Sequence, residues 1–225
     1  RFCIMKHWII LVLALFSFGL YADDRMTPEE LEKWLNDDKY SSTGHVNEGE
    51  LEFLHEPPPK PVLHSFNTLT VSQESIQSGW VLLEQCYKHL VPVPDAEIVY
   101  QYKAMRDLKV TSKRNIENVM IKGQSVQLTN IRQNAELCVR AEVRIFYKNP
   151  KGSFSLLNGP FHRKFLDGYY PYHVTLKIHY PSHLVTLIQT RPAAQPGFDV
   201  TESEDLIVID SYFDGILKTE IIFEN

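Results

Sequence analysis

The stretch 136-ELCVRAEVRIFY-147 decides the fold. Leu137, Val139, Ala141, Val143, Ile145 and Tyr147 fall on one side of an extended chain, and Cys138, Arg140, Glu142, Arg144 and Phe146 on the other. Side chains alternate faces along a strand, so one side of this segment is apolar and the other mostly polar. A long strand with a single apolar face belongs to an antiparallel sheet that covers a core on one side and meets water on the other.

The same period recurs outward in both directions. Downstream, 161-FHRKFLDGYYPYHVTLKIHYP-181 carries the densest aromatic cluster of the chain straight into a second clean alternation. There Val174, Leu176, Ile178 and Tyr180 are expected inward, and His173, Thr175, Lys177 and His179 outward. Upstream, Leu63, Ser65, Asn67, Leu69 and Val71 alternate against His64, Phe66, Thr68 and Thr70. Gly79–Leu90 reads two ways: Trp80, Leu83, Tyr87 and Leu90 would share a helix face, whereas Gly79 and the later Pro92 and Pro94 suit a strand ending in a turn. The strand is the reading kept.

Further strands are expected over Glu97–Tyr102, Leu108–Ser112 and Leu184–Thr190, and over Ile116–Ile121 with Val126–Ile131, the last two joined in a hairpin by Lys122-Gly123-Gln124-Ser125. Arg191–Asp205 reads as a loop. Leu206–Phe213 and Ile216–Phe223 read as a closing hairpin, because Asp214-Gly215 between them is a strong hairpin signal. Roughly ten short strands with frequent turns and no long helix predict an all-β fold, an antiparallel β-sandwich of immunoglobulin-like or jelly-roll-like type. A subdivision into two sandwiches near residue 150, within the turn-rich Asn149–Pro160, is the rival organisation, and no internal repeat supports it.

The N-terminal quarter has a different character. Lys6 and His7 precede an apolar run, Trp8–Tyr21, that closes on Ala22 before Asp23 and Asp24, the order of a secretory signal peptide. At about 1.5 Å per residue such a helix spans only about 21 Å of a hydrocarbon layer of about 30 Å, which favours a cleaved signal over an anchor. Residues 1–22 are therefore read as leader and signal, with Arg1–Ile4 upstream of the natural start at Met5. Residues 23–61 are read as an acidic, proline-rich extension outside the main fold, and residues 62–225 as the sandwich. In the extension, Thr27-Pro28-Glu29-Glu30 forms a capping box that predicts a short helix, and Pro57–Pro61 predicts a stiff polyproline spacer.

Charge follows the same division. Residues 23–61 hold 11 acids and 4 bases, whereas residues 62–225 hold 17 of each. Within the latter, residues 103–164 carry 13 bases against 4 acids, and residues 165–225 carry 3 against 9, so opposed charged faces are possible where strands do not interleave. An exported chain with a net charge of −5 is not expected to bind nucleic acid. Loss of the leader removes Cys3 and leaves Cys86 and Cys138, which are expected to pair as a disulfide in an oxidising compartment, periplasmic or secreted. Cys86 and His89 have metal-type spacing, but with Cys138 they still lack a fourth ligand.

No nucleophile elbow, zinc-protease helix, phosphate loop or dinucleotide fingerprint occurs. No cofactor is expected. No metal site is expected either, because His173 and His179 share a face but lie about 20 Å apart along one strand. The candidate site is the aromatic loop, with His162, Arg163, Asp167, Tyr169, Tyr170, Tyr172 and His173 as partner-contacting residues. Tyrosines beside cationic side chains combine flat apolar area with hydrogen-bonding groups, the chemistry of a patch that recognises a protein or a glycan. The competing reading fills the end of the sandwich with the same aromatics. The expected function is an exported binding or assembly module; the alternative is a hydrolase or oxidoreductase built on Asp167, His162 and His173 or on the cysteine pair.

Overall fold

The computed structural model describes residues 47–165 and 168–225. The signal segment and the capping-box helix expected at Thr27 lie outside the described residues. The described chain consists of strands and their connections, with one short helix. In chain order the elements are β1 (Glu52–Phe53), β2 (His64–Thr70), α1 (Gln73–Ser78), β3 (Trp80–Leu90), β4 (Asp95–Val99), β5 (Met105–Lys122), β6 (Ser125–Arg144), β7 (Phe146–Lys148), β8 (Phe154–Phe161), β9 (Lys164–Phe165), β10 (Gly168–Tyr169), β11 (Tyr172–His179), β12 (Thr186–Arg191), β13 (Phe198–Ser203), β14 (Leu206–Asp214) and β15 (Leu217–Glu224).

A large sheet runs in the order β1-β14-β11-β2-β3-β6-β4, with β13 also on β14 and β5 also on β6. A second sheet runs β12-β15-β8-β7, and β9 and β10 form a small ribbon. Leu69, Leu83, Val143, Leu176 and Ile209 of the large sheet share one buried cluster with Phe154, Leu156, Leu217, Ile221 and Phe223 of the second, which makes the two sheets the layers of a β-sandwich. Residues on both sides of position 150 belong to that one core.

The inward and outward sets expected for β2, β6 and β11 are those found. Leu137, Val139, Ala141, Val143, Leu176 and Ile178 are at most 1% exposed. One pairing departs from the antiparallel expectation: β2 and β11 run parallel, with His173 beside His64.

Several boundaries differ for identifiable reasons. The two strands expected between Leu108 and Ile121 are one 18-residue strand, and those between Val126 and Arg144 one 20-residue strand. The interruptions in their alternation are absorbed by Asp107, Asn115, Asn130 and Asn134, each at φ between 53° and 57°, where Asn and Asp tolerate the left-handed region better than other side chains. After Arg144 the chain steps into the second sheet. Ile145 and Phe146 are both buried, and the alternation expected to continue to Tyr147 breaks there.

Asp214-Gly215 does not close a hairpin. β14 and β15 lie in different sheets, so the dipeptide turns the corner between layers. The expected loop Arg191–Asp205 contains β13, whose Phe198 is fully buried against Phe53 at 5.2 Å between ring centroids. Phe53 belongs to β1, so the extension expected to end at Pro61 joins the fold from residue 47 onward: Glu52 and Phe53 pair with Asp214 and Phe213. The helix α1, not expected, is bounded by a Ser72 capping box and by Gly79 at φ 77°.

Candidate functional site

The paired strands β5 and β6 are longer than the sandwich is deep, and their turn end carries a second buried cluster of Tyr87, Tyr100, Ile116, Val126, Leu128 and Ile131, roofed by β4. Between this overhang and the segment Gly159–Phe165 lies a cleft of about 660 Å³. Its floor is Gln85, Tyr87 and Tyr172, its far wall comes from Val93–Tyr102, and His162, Arg163, Lys164 and Phe165 form the near wall. That volume is in the range of pockets that enclose small molecules or the anchoring side chains of a partner.

The cleft is mainly apolar, with polar groups at defined points. The Tyr87 hydroxyl donates to that of Tyr100 at 3.4 Å, and the Tyr102 hydroxyl donates to Asn158 Oδ1 at 2.8 Å. Burial pushes the phenols of Tyr87, Tyr102 and Tyr172 well up and that of Tyr100 up to about 12, so all four stay neutral near pH 7. Gln85 is 4% exposed, and its Oε1 has no hydrogen-bond partner. His162 Nδ1 is also buried without a partner, and burial, then Lys164, lowers the pKa of that ring.

The residues expected to form one contact surface are divided between places. His162 and Arg163 line the cleft. Arg163 lies over the rings of Phe165 and Tyr170 at 5.0 and 5.6 Å, and those rings meet edge-on at 5.2 Å. Tyr169 is half-buried, with Lys164 over its ring at 5.3 Å. Tyr172, named as a contact residue with burial as the competing reading, is 4% exposed; it lines the cleft with its ring on Phe213. Asp167 lies outside the described residues.

His173 faces the other side of the large sheet, away from the cleft, because it alternates with the inward Tyr172 and Val174. His162 and His173 therefore do not converge, which separates two of the groups the enzyme alternative required. The cysteine pair is closed: Cys86 and Cys138 are a disulfide between directly registered positions of β3 and β6.

On that outer face, side-chain rings form a row from two residues of β2 across His173 of β11 to Tyr212 of β14. Phe66 meets His64 at 3.7 Å, His64 meets His173 at 3.5 Å, and His173 meets Tyr212 at 3.8 Å. Beside the stack, His173 Nε2 lies 2.9 and 3.0 Å from the two Asp210 carboxylate oxygens, Thr175 Oγ1 donates to Asp210 Oδ2 at 2.5 Å, and His64 Nε2 is 2.8 Å from Thr175 Oγ1. Burial pushes His64 down to about 4, aided by His173 and opposed by Asp210. Burial also works against the Asp210 carboxylate, but hydrogen bonds from His173 and Thr175 outweigh it and hold that pKa below its ordinary value. His64, His173 and Asp210 each offer a metal-ligating atom within 4.8 Å of the others'. The sequence reading missed this set because it paired His173 with His179 along one strand rather than with partners on the strands beside it.

No protein-family model matches the sequence, and no curated protein matches it. Two solved structures of an M1 zinc metallopeptidase from Deinococcus radiodurans are similar in backbone. One, a mutant bound to a Tyr-Ser-Ala substrate, has a TM-score of 0.40 at 12% identity, covering 80% of this chain and 43% of that one. The other has a TM-score of 0.38 at 15% identity over the same shares. This chain spans less than half the length of either.

Proposed function

We propose that the protein is exported to the periplasm or beyond the cell and works as a binding module, taking the apolar anchor of a protein partner into the cleft between the β5–β6 overhang and the aromatic loop. The observation that carries this reading is the cleft itself, about 660 Å³ and lined by apolar and aromatic side chains such as Leu63, Val93, Ile98, Leu128 and Tyr172. Arg163 and Lys164 at the mouth supply cationic rim contacts to a partner of acidic or aromatic character. The mostly apolar walls favour a hydrophobic anchor over a glycan, whose hydroxyls would need many more polar partners than the cleft offers. Export is supported by the signal-type N-terminal sequence and by the Cys86–Cys138 disulfide. Among the described residues no helix is long and apolar enough to cross a membrane.

Titration with 1-anilinonaphthalene-8-sulfonate, an apolar ring system with one negative charge, tests the cleft directly. The folded protein should bind the dye saturably, and Ala96→Trp, which fills the cleft from β4, should abolish binding while the circular dichroism spectrum is kept. Equal binding by that variant, or none by the unaltered protein, would reject the cleft as the binding site.

A further inference from the structure

Outside the cleft, the outer face of the large sheet carries a group of side chains that the binding reading does not use. His64, His173 and Asp210 come from three neighbouring strands, β2, β11 and β14, whose register is fixed by pairing: His173 lies beside His64 in the parallel pair, and Thr175 lies opposite Asp210 in the antiparallel one. The sheet thus brings two imidazoles and a carboxylate together with no loop to position. Their ligating atoms already lie within 4.8 Å of one another. A tetrahedral ion with bonds of about 2.0–2.1 Å asks for donor separations of about 3.3 Å, so the ligating atoms must draw together for an ion to bind.

A second feature points to the same place. His64 and His173 line a depression of about 350 Å³, and His89 lines it as well. His89 sits at φ 57°, where the register of β3 against β6 shifts between Tyr87 and Leu90. A non-glycine residue held in the left-handed region at a strand irregularity costs of order 1–3 kcal/mol, and such positions cluster at functional sites. Its imidazole lines the same depression as the stacked pair. Pro58, Pro59 and Pro61 form the opposite rim and narrow access to the depression.

We propose that His64, His173 and Asp210 are the protein ligands of a zinc ion, with the fourth position open to the depression where His89 stands. Two imidazoles and one carboxylate with an open position form a donor set of a kind that zinc takes. Thr175, whose hydroxyl donates to Asp210 Oδ2, becomes the outer group that orients the ligating carboxylate. Phe66 and Tyr212 flank the two imidazoles on either side. The ion draws the His64 and His173 rings out of their mutual stack, because both nitrogens must aim at one point.

The test uses the full mature chain, stripped with a chelator and titrated with zinc chloride, with bound metal measured after equilibrium dialysis and thermal unfolding followed in parallel. One equivalent should bind saturably, and the unfolding midpoint should rise with zinc concentration, as linkage requires of a ligand held by the native state. His173→Ala and Asp210→Asn should each weaken uptake by at least about tenfold, and Thr175→Val by roughly tenfold, in line with losses seen for outer-shell groups. His179→Ala, on the same strand and face but outside the cluster, should leave uptake unchanged. Should His173→Ala fail to fold, Asp210→Asn, an isosteric change at a half-buried side chain, decides. The assignment is overturned by absence of saturable zinc uptake in the unaltered protein, by uptake that survives Asp210→Asn, or by uptake that depends on His179. Dye binding in the cleft is independent of all these outcomes.

Discussion

Gly215 lies directly beneath the backbone carbonyl of Glu50, and a β-carbon at Gly215 would overlap that oxygen. The residue also holds φ at 85°, in the left-handed region. Both facts follow from its place at the corner where β14 leaves the large sheet and β15 enters the second, with the segment before β1 crossing over it. Gly215→Ala is therefore expected to destabilise the fold by at least about 1–3 kcal/mol, since neither the conformation nor the space suits a side chain. Chemical denaturation reads this as a lower midpoint with an unchanged slope. A midpoint equal to that of the unaltered protein would mean that the Glu50 segment does not cross there.

Cys86 and Cys138 occupy paired positions of β3 and β6, with Cα atoms 4.1 Å apart and a separation of 52 positions in sequence. The bridge constrains the unfolded chain more than it adds contacts to the folded one. Replacing both by Ala is expected to cost roughly 2–4 kcal/mol in unfolding free energy while leaving the strand content intact. Circular dichroism and urea titration of the double variant check the two halves of that statement. A loss of sheet signal in the absence of denaturant would make the bridge a condition of folding rather than a stabiliser.

Asn134 sits at φ 57° in the middle of β6, opposite the irregular part of β5. A β-branched residue in the left-handed region is strongly disfavoured, at roughly 1–2 kcal/mol or more, whereas glycine adopts it freely. Asn134→Val should thus destabilise by about that amount, and Asn134→Gly should be near neutral. Equal losses for both would assign the role to the Asn134 side chain instead of its backbone.

The same asparagines mark where reading the sequence succeeds and where it stops. Period-two alternation is a local property, so the inward faces of β2, β6 and β11 were legible from the residues alone. Where a strand bends through a left-handed residue, the alternation slips and one long strand reads as two. Asp214-Gly215 misled for a related reason: the dipeptide encodes a tight reversal, but whether the reversal stays in one sheet or steps to the next depends on what packs above it, here Glu50. Phe198 was hidden by its acidic, proline-containing surroundings, although Phe-x-Val at the start of β13 carries alternation. The sites lay furthest from view because each is assembled across strands. Gln85 reads as an ordinary polar residue in β3 until β4 and Pro160–Phe165 close over it, and His64, His173 and Asp210 stand 109 and 37 positions apart along the chain. Ser72 and Gly79 carried a start and stop signal for α1 that the reading of the sequence did not use.

Asp214 stands opposite Glu52 in the β1–β14 pairing, and like charges facing each other across a strand pair are unfavourable. Burial, then the Glu52 charge, raises the Asp214 pKa, and its Oδ1 is buried without a partner. For a carboxyl whose pKa is higher folded than unfolded, the native state holds the proton longer, so stability falls as pH rises from the unfolded value, about 3.9, through the folded one. Above that window the full penalty is present; below it there is none. Asp214→Asn keeps a turn-compatible residue before Gly215 and removes the charge. It is expected to raise the unfolding midpoint at pH 7, with the gain shrinking to nothing as pH falls below about 4. Glu52→Gln should give a smaller gain of the same sign. Thermal unfolding of the three proteins between pH 3 and pH 8 measures both effects, and a gain from Asp214→Asn that stayed constant across that range would show that the carboxylate charge is not its cause.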